Sequence, residues 1–280
     1  MSRNQNRIPS VENTEGAEPQ VQSAPPIPEG ANAPSPFNFI VPTEMVDLPS
    51  QGQFYPVGHP LHNADAIEIK HMTAKEEDIL TSTTLLKKGV ALDKMLQSVI
   101  VDNRIKVGDL LIGDKNALLI ASRVFGYGEH YNVNLNCPNC NAAFEATIDL
   151  NDLDVKESLQ LGKITRTENN TFTITLPKSN LNFEIRLLTS KDETTLVSNK
   201  NAGSMKLLKL ITVSVNGQTD RFFVERALQS LPIMDVSVLK KAYAAVTPDV
   251  NMTQDVECTE CGETSTMGVP LDAGFFWPDV

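Results

Sequence analysis

The residue types with the clearest chemistry in this chain are its four cysteines, which occur as two Cys-x-x-Cys pairs. Cys137 and Cys140 form the first pair, and Cys258 and Cys261 form the second. Two thiolates separated by two residues on one tight turn can both reach a single tetrahedral metal ion at about 2.3 Å. Two such turns supply four ligands and leave no position for water or substrate. The spacing therefore predicts a structural Zn²⁺ site and not a catalytic one.

Two local disulfides, or free buried cysteines, are the alternatives to a metal site. Both are disfavoured because the N-terminus has no apolar stretch behind its two arginines, so we expect no secretory signal and a reducing compartment. A thioredoxin-like redox pair fits less well, because its Cys-x-x-Cys opens a helix while both pairs here lie between strand-like segments. Closing the long loop between the pairs costs about 4 kcal/mol. Zinc binding in small finger peptides is worth about 10–16 kcal/mol, which is more than enough.

Each cysteine pair lies between segments with the alternation of β-strands. Apolar residues alternate over 131–135 before the first pair and over 144–150 after it. The second pair is preceded by Val256 and followed by a strand-like segment over 266–269. We therefore expect two hairpins, each with a cysteine turn at its tip, as the internal repeat of the chain.

A helical unit is predicted for residues 73–128. Thr73-Ala-Lys-Glu76 has the spacing of a capping box, with a hydroxyl at the N-cap and a carboxylate three residues later. A second helix is expected over 92–101, where apolar residues recur at helical spacing. The third is expected to begin at Asp114 as its N-cap and to be ended after Phe125 by Gly126 and Gly128.

Further elements follow from the same patterns of alternation and helical spacing. Ser190-Lys-Asp-Glu193 is predicted to be a second capping box, and residues 207–215 read either as a strand or as a buried helix. The remaining expected elements are strands over 66–70, 171–176 and 183–188 and helices over 224–231 and 236–246.

The predicted fold class is α+β, in three parts. Residues 1–43 hold eight of the 17 prolines and few branched apolar residues, so they are predicted to be a disordered tail. Residues 44–128 are predicted to be an extended segment followed by the helical unit. Residues 129–280 are predicted to be a mixed domain closed by a zinc-ribbon-like pair of cysteine turns.

The charge of the chain argues against nucleic acid as a partner, and its hydropathy argues against a membrane. Its 24 Lys and Arg against 35 Asp and Glu give a net charge of −11. Residues 132–150 and 251–280 contain acidic residues but no Lys or Arg, so a phosphate backbone would be repelled from the cysteine turns. No apolar run approaches the roughly 20 residues that a membrane-spanning helix needs.

The sequence does not predict an enzyme. It contains neither a phosphate-binding glycine loop nor the metalloprotease or nucleophile-elbow motifs. His59 and His62 stand in a loop rich in Pro and Gly, and His71 and His130 are isolated. A surface-loop interpretation is favoured over a ligand role for His59 and His62.

Two aromatic groups are candidates for a surface that contacts partners. They are Phe54 with Tyr55 and the cluster Phe275, Phe276 and Trp277 near the C-terminus. Burial in the core is the alternative for both, since large aromatic side chains are mostly buried.

Several blocks of the sequence form a specific combination. These are Leu48-Pro-Ser-Gln-Gly-Gln-Phe-Tyr-Pro56, Met72-Thr-Ala-Lys-Glu-Glu-Asp-Ile-Leu-Thr81, Gly113-Asp-Lys-Asn-Ala117, Arg123-Val-Phe-Gly-Tyr-Gly128, the Cys-Pro-x-Cys turn and Phe275-Phe-Trp-Pro278. Together they resemble the baseplate hub protein family of contractile-tailed (myovirus) bacteriophages. The resemblance covers roughly residues 45–145 and the C-terminus.

The resemblance implies a structural or assembly protein of the tail baseplate hub. Its partners would be other tail and baseplate hub proteins, with a homo-oligomer left open, and it implies no catalytic residue. It also implies synthesis in the host cytoplasm followed by a place in the virion tail baseplate. The alternative is a tail-assembly chaperone or a zinc-ribbon adaptor that is absent from the mature virion.

Overall fold

The structure is a computed structural model that describes residues 41–156, 164–197, 204–269 and 273–276. Helices and antiparallel sheets both occur, which confirms the α+β class. Most of the predicted disordered tail lies outside the described residues, although Thr43 already begins the first strand. Within these segments no helix is long and apolar enough to cross a membrane.

In chain order, the α-helices of the described segments all lie between strands. Short 3₁₀ turns occur over Val107–Asp109, Leu150–Asp152 and Ala273–Phe276. The α-helices are α1 (Ala74–Thr81), α2 (Thr83–Lys88), α3 (Ala91–Val99), α4 (Ile112–Tyr127), α5 (Ser190–Val197), α6 (Ser204–Ile211), α7 (Arg221–Gln229) and α8 (Ile233–Val246).

Within the described part of the chain, the strands form three two-stranded sheets and one four-stranded sheet, all antiparallel. The two-stranded sheets pair β1 (Thr43–Asp47) with β2 (Ala66–Lys70), β3 (His130–Asn136) with β4 (Ala143–Asp149), and β9 (Thr253–Glu257) with β10 (Thr264–Gly268). The four-stranded sheet has the order β5 (Ile164–Arg166), β6 (Phe172–Thr175), β7 (Asn182–Ile185) and β8 (Thr212–Val215).

The capping box at the start of α1 is confirmed. The backbone N–H and the hydroxyl of Thr73 both donate to the carboxylate of Glu76, at 2.9 and 2.5 Å. Glu76 is fully buried, and its other oxygen accepts from the hydroxyl of Ser98 on α3 at 2.5 Å. The box therefore also fastens α1 to α3.

The predicted start of the third helix at Asp114 was wrong. Helix α4 begins at Ile112 with Leu111 as its N-cap, so Asp114 lies inside the first turn. Its carboxylate does not cap its own helix because it is occupied by donors from a distant segment. Ser50 donates to it from its backbone N–H at 3.0 Å and from its hydroxyl at 2.6 Å, and the Tyr55 hydroxyl donates at 2.7 Å.

Asp114 is fully buried. Burial raises its pKa above the usual range, against the lowering effect of the hydrogen bonds from Ser50 and Tyr55. Burial and the nearby carboxylate likewise raise the pKa of Tyr55 far above its usual value. The Tyr55 hydroxyl also accepts from the backbone N–H of Leu111 at 3.0 Å. The side chain of Tyr55 thus connects the 48–56 segment to the start of α4.

Other polar side chains of α4 bind segments far away in the chain. The Lys115 ammonium lies 2.8 Å from Asp93 on α3 and 2.9 Å from Glu193 on α5. Asn116 donates to Asp249 at 3.0 Å. At the other end of α4, the buried guanidinium of Arg123 donates to the backbone oxygens of Phe275, Gly128 and His130, at 2.9, 2.8 and 3.2 Å.

The second capping box is displaced by one residue from its predicted position. Thr189, not Ser190, donates its backbone N–H and its hydroxyl to the carboxylate of Asp192, both at 3.0 Å. Helix α5 therefore starts at Ser190. The segment 207–215, predicted to be either a strand or a buried helix, contains both, because α6 ends at Ile211 and β8 begins at the next residue.

One hydrophobic core includes residues on both sides of position 128. Leu96 and Leu118 belong to it, as do Ile148 and Phe183. The division into domains at 44–128 and 129–280 stays a prediction. The aromatic side chains of Tyr55, Phe275 and Phe276 are in the core, at 3%, 1% and 1% exposure, so they are not a surface for partners. Trp277 lies outside the described residues.

We expect Tyr55→Phe to lower the free energy of unfolding by about 2–4 kcal/mol, because it leaves the N–H of Leu111 unpaired and removes a hydrogen bond to a buried carboxylate. Denaturant unfolding followed by circular dichroism measures the change. Tyr127→Phe is the matched control, since the Tyr127 ring lies under the guanidinium of Arg123 and is retained. Equal effects of the two substitutions would contradict the role of the Tyr55 hydroxyl.

Candidate metal centre

The first cysteine turn closes the hairpin of β3 and β4. The backbone N–H of Cys137 donates to Ala142 at 2.9 Å, and the N–H of Asn141 donates back to Cys137 at 2.9 Å. Asn141 has a φ of 58°, in the left-handed region that Asn tolerates better than most residues. This local turn brings the Sγ atoms of Cys137 and Cys140 to the same end of the hairpin.

The second turn, between β9 and β10, repeats this pattern. The N–H of Cys258 donates to Glu263 at 3.0 Å, and the N–H of Gly262 donates to Cys258 at 2.8 Å. Gly262, at the position of Asn141, has a φ of 70°. The predicted pair of cysteine hairpins is therefore present, with the same hydrogen bonds in both turns.

The structure brings all four predicted cysteines together. Their Sγ atoms all lie within 4.8 Å of one another, and Cys137 lies 3.8 Å from Cys261 while Cys140 lies 3.8 Å from Cys258. Sulfurs bound at about 2.3 Å to a tetrahedral ion are about 3.8 Å apart. A disulfide would need about 2.05 Å. The four thiols are free, and the arrangement can hold a metal ion.

The two cysteines of a turn differ in solvent exposure, and they differ in the same way in both turns. The first cysteine of each turn, Cys137 and Cys258, is buried, and the second, Cys140 and Cys261, is exposed. The amide of Asn139 points at Sγ of Cys261 from 3.9 Å. The cluster therefore lies at the surface, with one side in the core and the other toward solvent.

Backbone amides favour thiolate formation in the first turn. The amide of Cys140 lowers the pKa of the Cys137 thiol to about 7. For Cys140 the amide of Ala142 acts in the same direction, but burial and the neighbouring thiols together raise the pKa to about 12. A bound cation would favour the thiolate at each of the four sulfurs.

The core holds both hairpins in place around the sulfurs. Side chains of β3 and β4 alternate between solvent and core, and Tyr131 of β3 packs edge-on against Phe275 at 5.1 Å. The side chain of Gln254 on β9 donates to the backbone oxygen of Asp149 on β4 at 3.1 Å. The two hairpins thus also contact each other away from the cysteines.

The histidines lie elsewhere. His59 stacks on the ring of Tyr55 at 4.7 Å, and His62 contacts the backbone oxygen of Tyr55 at 2.8 Å. His71 stacks on Phe125 at 5.3 Å, and His130 is exposed in β3. None of them belongs to the four-residue group found among the described residues.

Sequence reasoning missed two features of these sites. The contact of Asn139 with Cys261 was missed, because no pattern within one turn indicates a contact to the other turn. The buried contacts of Asp114 were also missed, because its position near a helix start favoured a capping role. The sequence offers one hint of its burial: Asp114 closely follows two apolar residues, Leu110 and Leu111.

A comparison with protein families shows the family to which the chain belongs. A family model described as T4 bacteriophage base plate protein matches residues 41–277. The chain belongs to this family. No curated protein and no solved structure gives a significant match. Membership supports a structural role in a phage baseplate, a place in the virion tail and contacts with other tail components.

The blocks that resembled the hub family contact one another in this baseplate protein. Ser50 and Tyr55 of the first block bind Asp114 of the third. Arg123 of the fourth block binds Phe275 of the last. These blocks therefore carry the buried polar contacts described above.

We expect the reduced, metal-free chain to bind one equivalent of Co²⁺ and to show the absorption of a tetrahedral thiolate complex. Spectrophotometric titration measures the stoichiometry. Cys258→Ser removes a ligand and should weaken binding at least about tenfold, because a closed tetrahedral site needs four ligands. Asn139→Ala, which changes a neighbour and not a ligand, should keep the complex. A spectrum unchanged by Cys258→Ser would contradict the ligand set.

Proposed function

We propose that this chain is a structural subunit of the baseplate hub, in which a Zn²⁺ ion bound by the four cysteines joins two hairpins. The observation that carries the proposal is the family match over residues 41–277, combined with the resemblance of the sequence blocks to hub proteins. A place in the hub is a more specific statement than membership of the baseplate family. It rests on the blocks in 48–128 and at the C-terminus.

Zinc is proposed because four sulfur ligands in a tetrahedral arrangement suit its preference. Soft thiolates select Zn²⁺, Cu⁺ or iron–sulfur clusters, and closed Cys₄ sites are typical of structural zinc. The repeated turn, with two N–H···O bonds around each Cys-x-x-Cys, resembles a zinc-ribbon knuckle. When bound, the ion would hold the end of one hairpin to the end of the other.

A non-enzymatic role follows from the same donor set. Four protein thiolates fill a tetrahedral shell, so the bound ion has no open position for a water molecule or a substrate. Both Cys-x-x-Cys turns join β-strands and do not open a helix, which disfavours a thioredoxin-like redox function. We therefore propose that the protein acts through binding.

The proposed partners are other proteins of the tail and baseplate hub, and a homo-oligomer is left to experiment. The exposed residues around the metal centre disfavour nucleic acid, because Glu145, Asp255, Glu257, Glu260 and Glu263 are exposed there and the two hairpins carry neither Lys nor Arg. A phosphate backbone would be repelled by these carboxylates and by the thiolates. We propose assembly in the host cytoplasm and then a place in the virion.

Removal of the metal tests its structural role. Protein purified without added metal should contain about one equivalent of zinc by elemental analysis. Chelation should speed amide hydrogen exchange in β9 and β10 far more than in α1 and α3, because the ion holds the second hairpin to the first. A zinc content near zero with a fully folded chain would contradict the proposal, as would uniform exchange throughout.

Analysis of purified phage particles tests the hub role. Mass spectrometry should find the chain in mature virions, and cross-linking should connect it to proteins at the centre of the baseplate. Its absence from virions, together with tail defects when it is missing, would instead support the assembly chaperone or adaptor. Cross-links only to peripheral baseplate proteins would contradict the hub position and leave the family unchanged.

A further inference from the structure

An open strand edge runs along one side of an apolar groove. Strand β1 pairs with β2 on one side only, and β2 is bonded on its other side through the N–H of Val101, which donates to Glu68 at 3.1 Å. His71 donates to Pro42, and Leu48 donates to Asp65, which places the even-numbered residues of this edge in the bonds to β2. The backbone groups of Thr43, Met45 and Asp47 therefore point away from β2.

These outward groups bond to none of the residues that the structure describes. An unpaired strand edge is a template for another strand unless it is short, twisted away or covered. Met45, in the middle of this edge, is apolar and 62% exposed. As far as the described residues go, the edge can donate and accept hydrogen bonds with an added strand.

Beside this edge lies a groove of about 330 Å³. Its opposite wall is a segment in which Val155 bridges Val250, with Lys156 donating to Asp249 at 2.8 Å and Asn251 donating to Asp154 at 2.7 Å. Apolar side chains supply most of its lining, including Met45, Val46, Ala121, Val124, Leu153 and Val155. An added strand could place every second side chain in this groove.

The charges at the rim indicate the chemistry of the partner. Asp47 lines the groove, and the exposed residues Glu44, Asp152 and Asp154 neighbour lining residues in the sequence. Glu44 also lies 3.8 Å from His71. No described lining residue is basic. The nearest Lys on the opposite wall, Lys156, donates to the backbone oxygen of Ala244 at 2.7 Å. A second copy of this chain would bring the same carboxylates of β1 to the groove, so self-pairing is disfavoured.

We propose that this edge and groove bind an extended segment of another protein in which apolar residues alternate with Lys or Arg. The segment would add to β1 as a strand, with its apolar side chains in the groove and its basic side chains at the acidic rim. This inference deepens the proposed function by naming the chemistry of one partner. It rests on the proposed function only in taking the partner to be a protein of the tail.

A synthetic probe tests the site on the isolated, zinc-loaded chain. The probe is a fluorescein-labelled peptide of nine residues that alternates valine and lysine, and its control alternates valine and glutamate. Fluorescence anisotropy should show at least about tenfold tighter binding of the lysine peptide, and the difference should shrink with added salt. Equal binding of the two peptides would overturn the proposed charge complementarity.

Matched variants locate the binding. Val155 is 54% exposed in the groove, and Val57 is 88% exposed outside it. Val155→Arg should weaken binding of the lysine peptide at least about tenfold through lost apolar contact and repulsion, while Val57→Arg should leave it unchanged. Circular dichroism checks that both variants fold. Equal effects of the two substitutions would overturn the groove as the site.

Backbone methylation tests strand addition itself. Two forms of the lysine peptide carry N-methyl groups on alternate residues, one form on the lysines and the other on the valines. Only the form whose methyl groups face β1 should lose binding, because a strand uses the N–H groups of one parity toward each neighbour. Equal behaviour of both forms would overturn strand addition.

The remaining outcomes separate this proposal from the hub role. Sedimentation that shows a dimer disrupted by Val155→Arg would identify a second copy as the occupant and overturn the basic partner. The peptide measurements need no phage particle, so their failure leaves the virion and cross-linking result intact. Absence of the chain from virions, with peptide binding preserved, would reject the hub role and retain the groove.

Discussion

The carboxylate of Asp114 imposes the strongest constraint on how this chain folds. An acidic group in the interior is costly unless donors surround it, because water no longer stabilises its charge. Here the donors come from Ser50 and Tyr55, which lie outside α4, and the Tyr55 hydroxyl also satisfies the N–H of Leu111. The segment 48–56 must therefore lie against the first turn of α4 whenever the core is closed.

The same requirement extends along α4. Lys115 needs the carboxylates of Asp93 and Glu193. Arg123 needs the backbone oxygens of Gly128, His130 and Phe275. Burial alone would lower the pKa of Lys115, and its two carboxylate partners raise it above the usual value. Gly113 allows a further close approach, since a Cβ there would lie 2.0 Å from the backbone oxygen of Pro248. Helix α4 thus joins segments from the beginning, middle and end of the described chain.

The cysteine cluster lies at the ends of the two hairpins, and it would act through metal–sulfur bonds and not through buried hydrogen bonds. A two-stranded hairpin has little stability of its own, so each cysteine hairpin depends on what it packs against. The first is held by the core through Tyr131 and its neighbours, and the second touches it through Gln254. Four metal–sulfur bonds would fix the ends of the two hairpins at the cysteine turns. Two hairpins fixed in this way would suit a structural protein of a phage baseplate.

The sequence by itself determined the elements whose signals are local. The spacing of Cys137, Cys140, Cys258 and Cys261, the alternation around them and the box at Thr73 depend on near neighbours, and the structure has each of them. Only the tertiary structure decided the role of Asp114, the burial of Phe275 and Phe276, and the free edge of β1. Each depends on residues tens of positions away, such as Tyr55 for Asp114 or Arg123 for Phe275, and no local period encodes such a contact. A carboxylate near a helix start therefore reads as a cap in sequence, and becomes a buried anchor only when distant donors reach it.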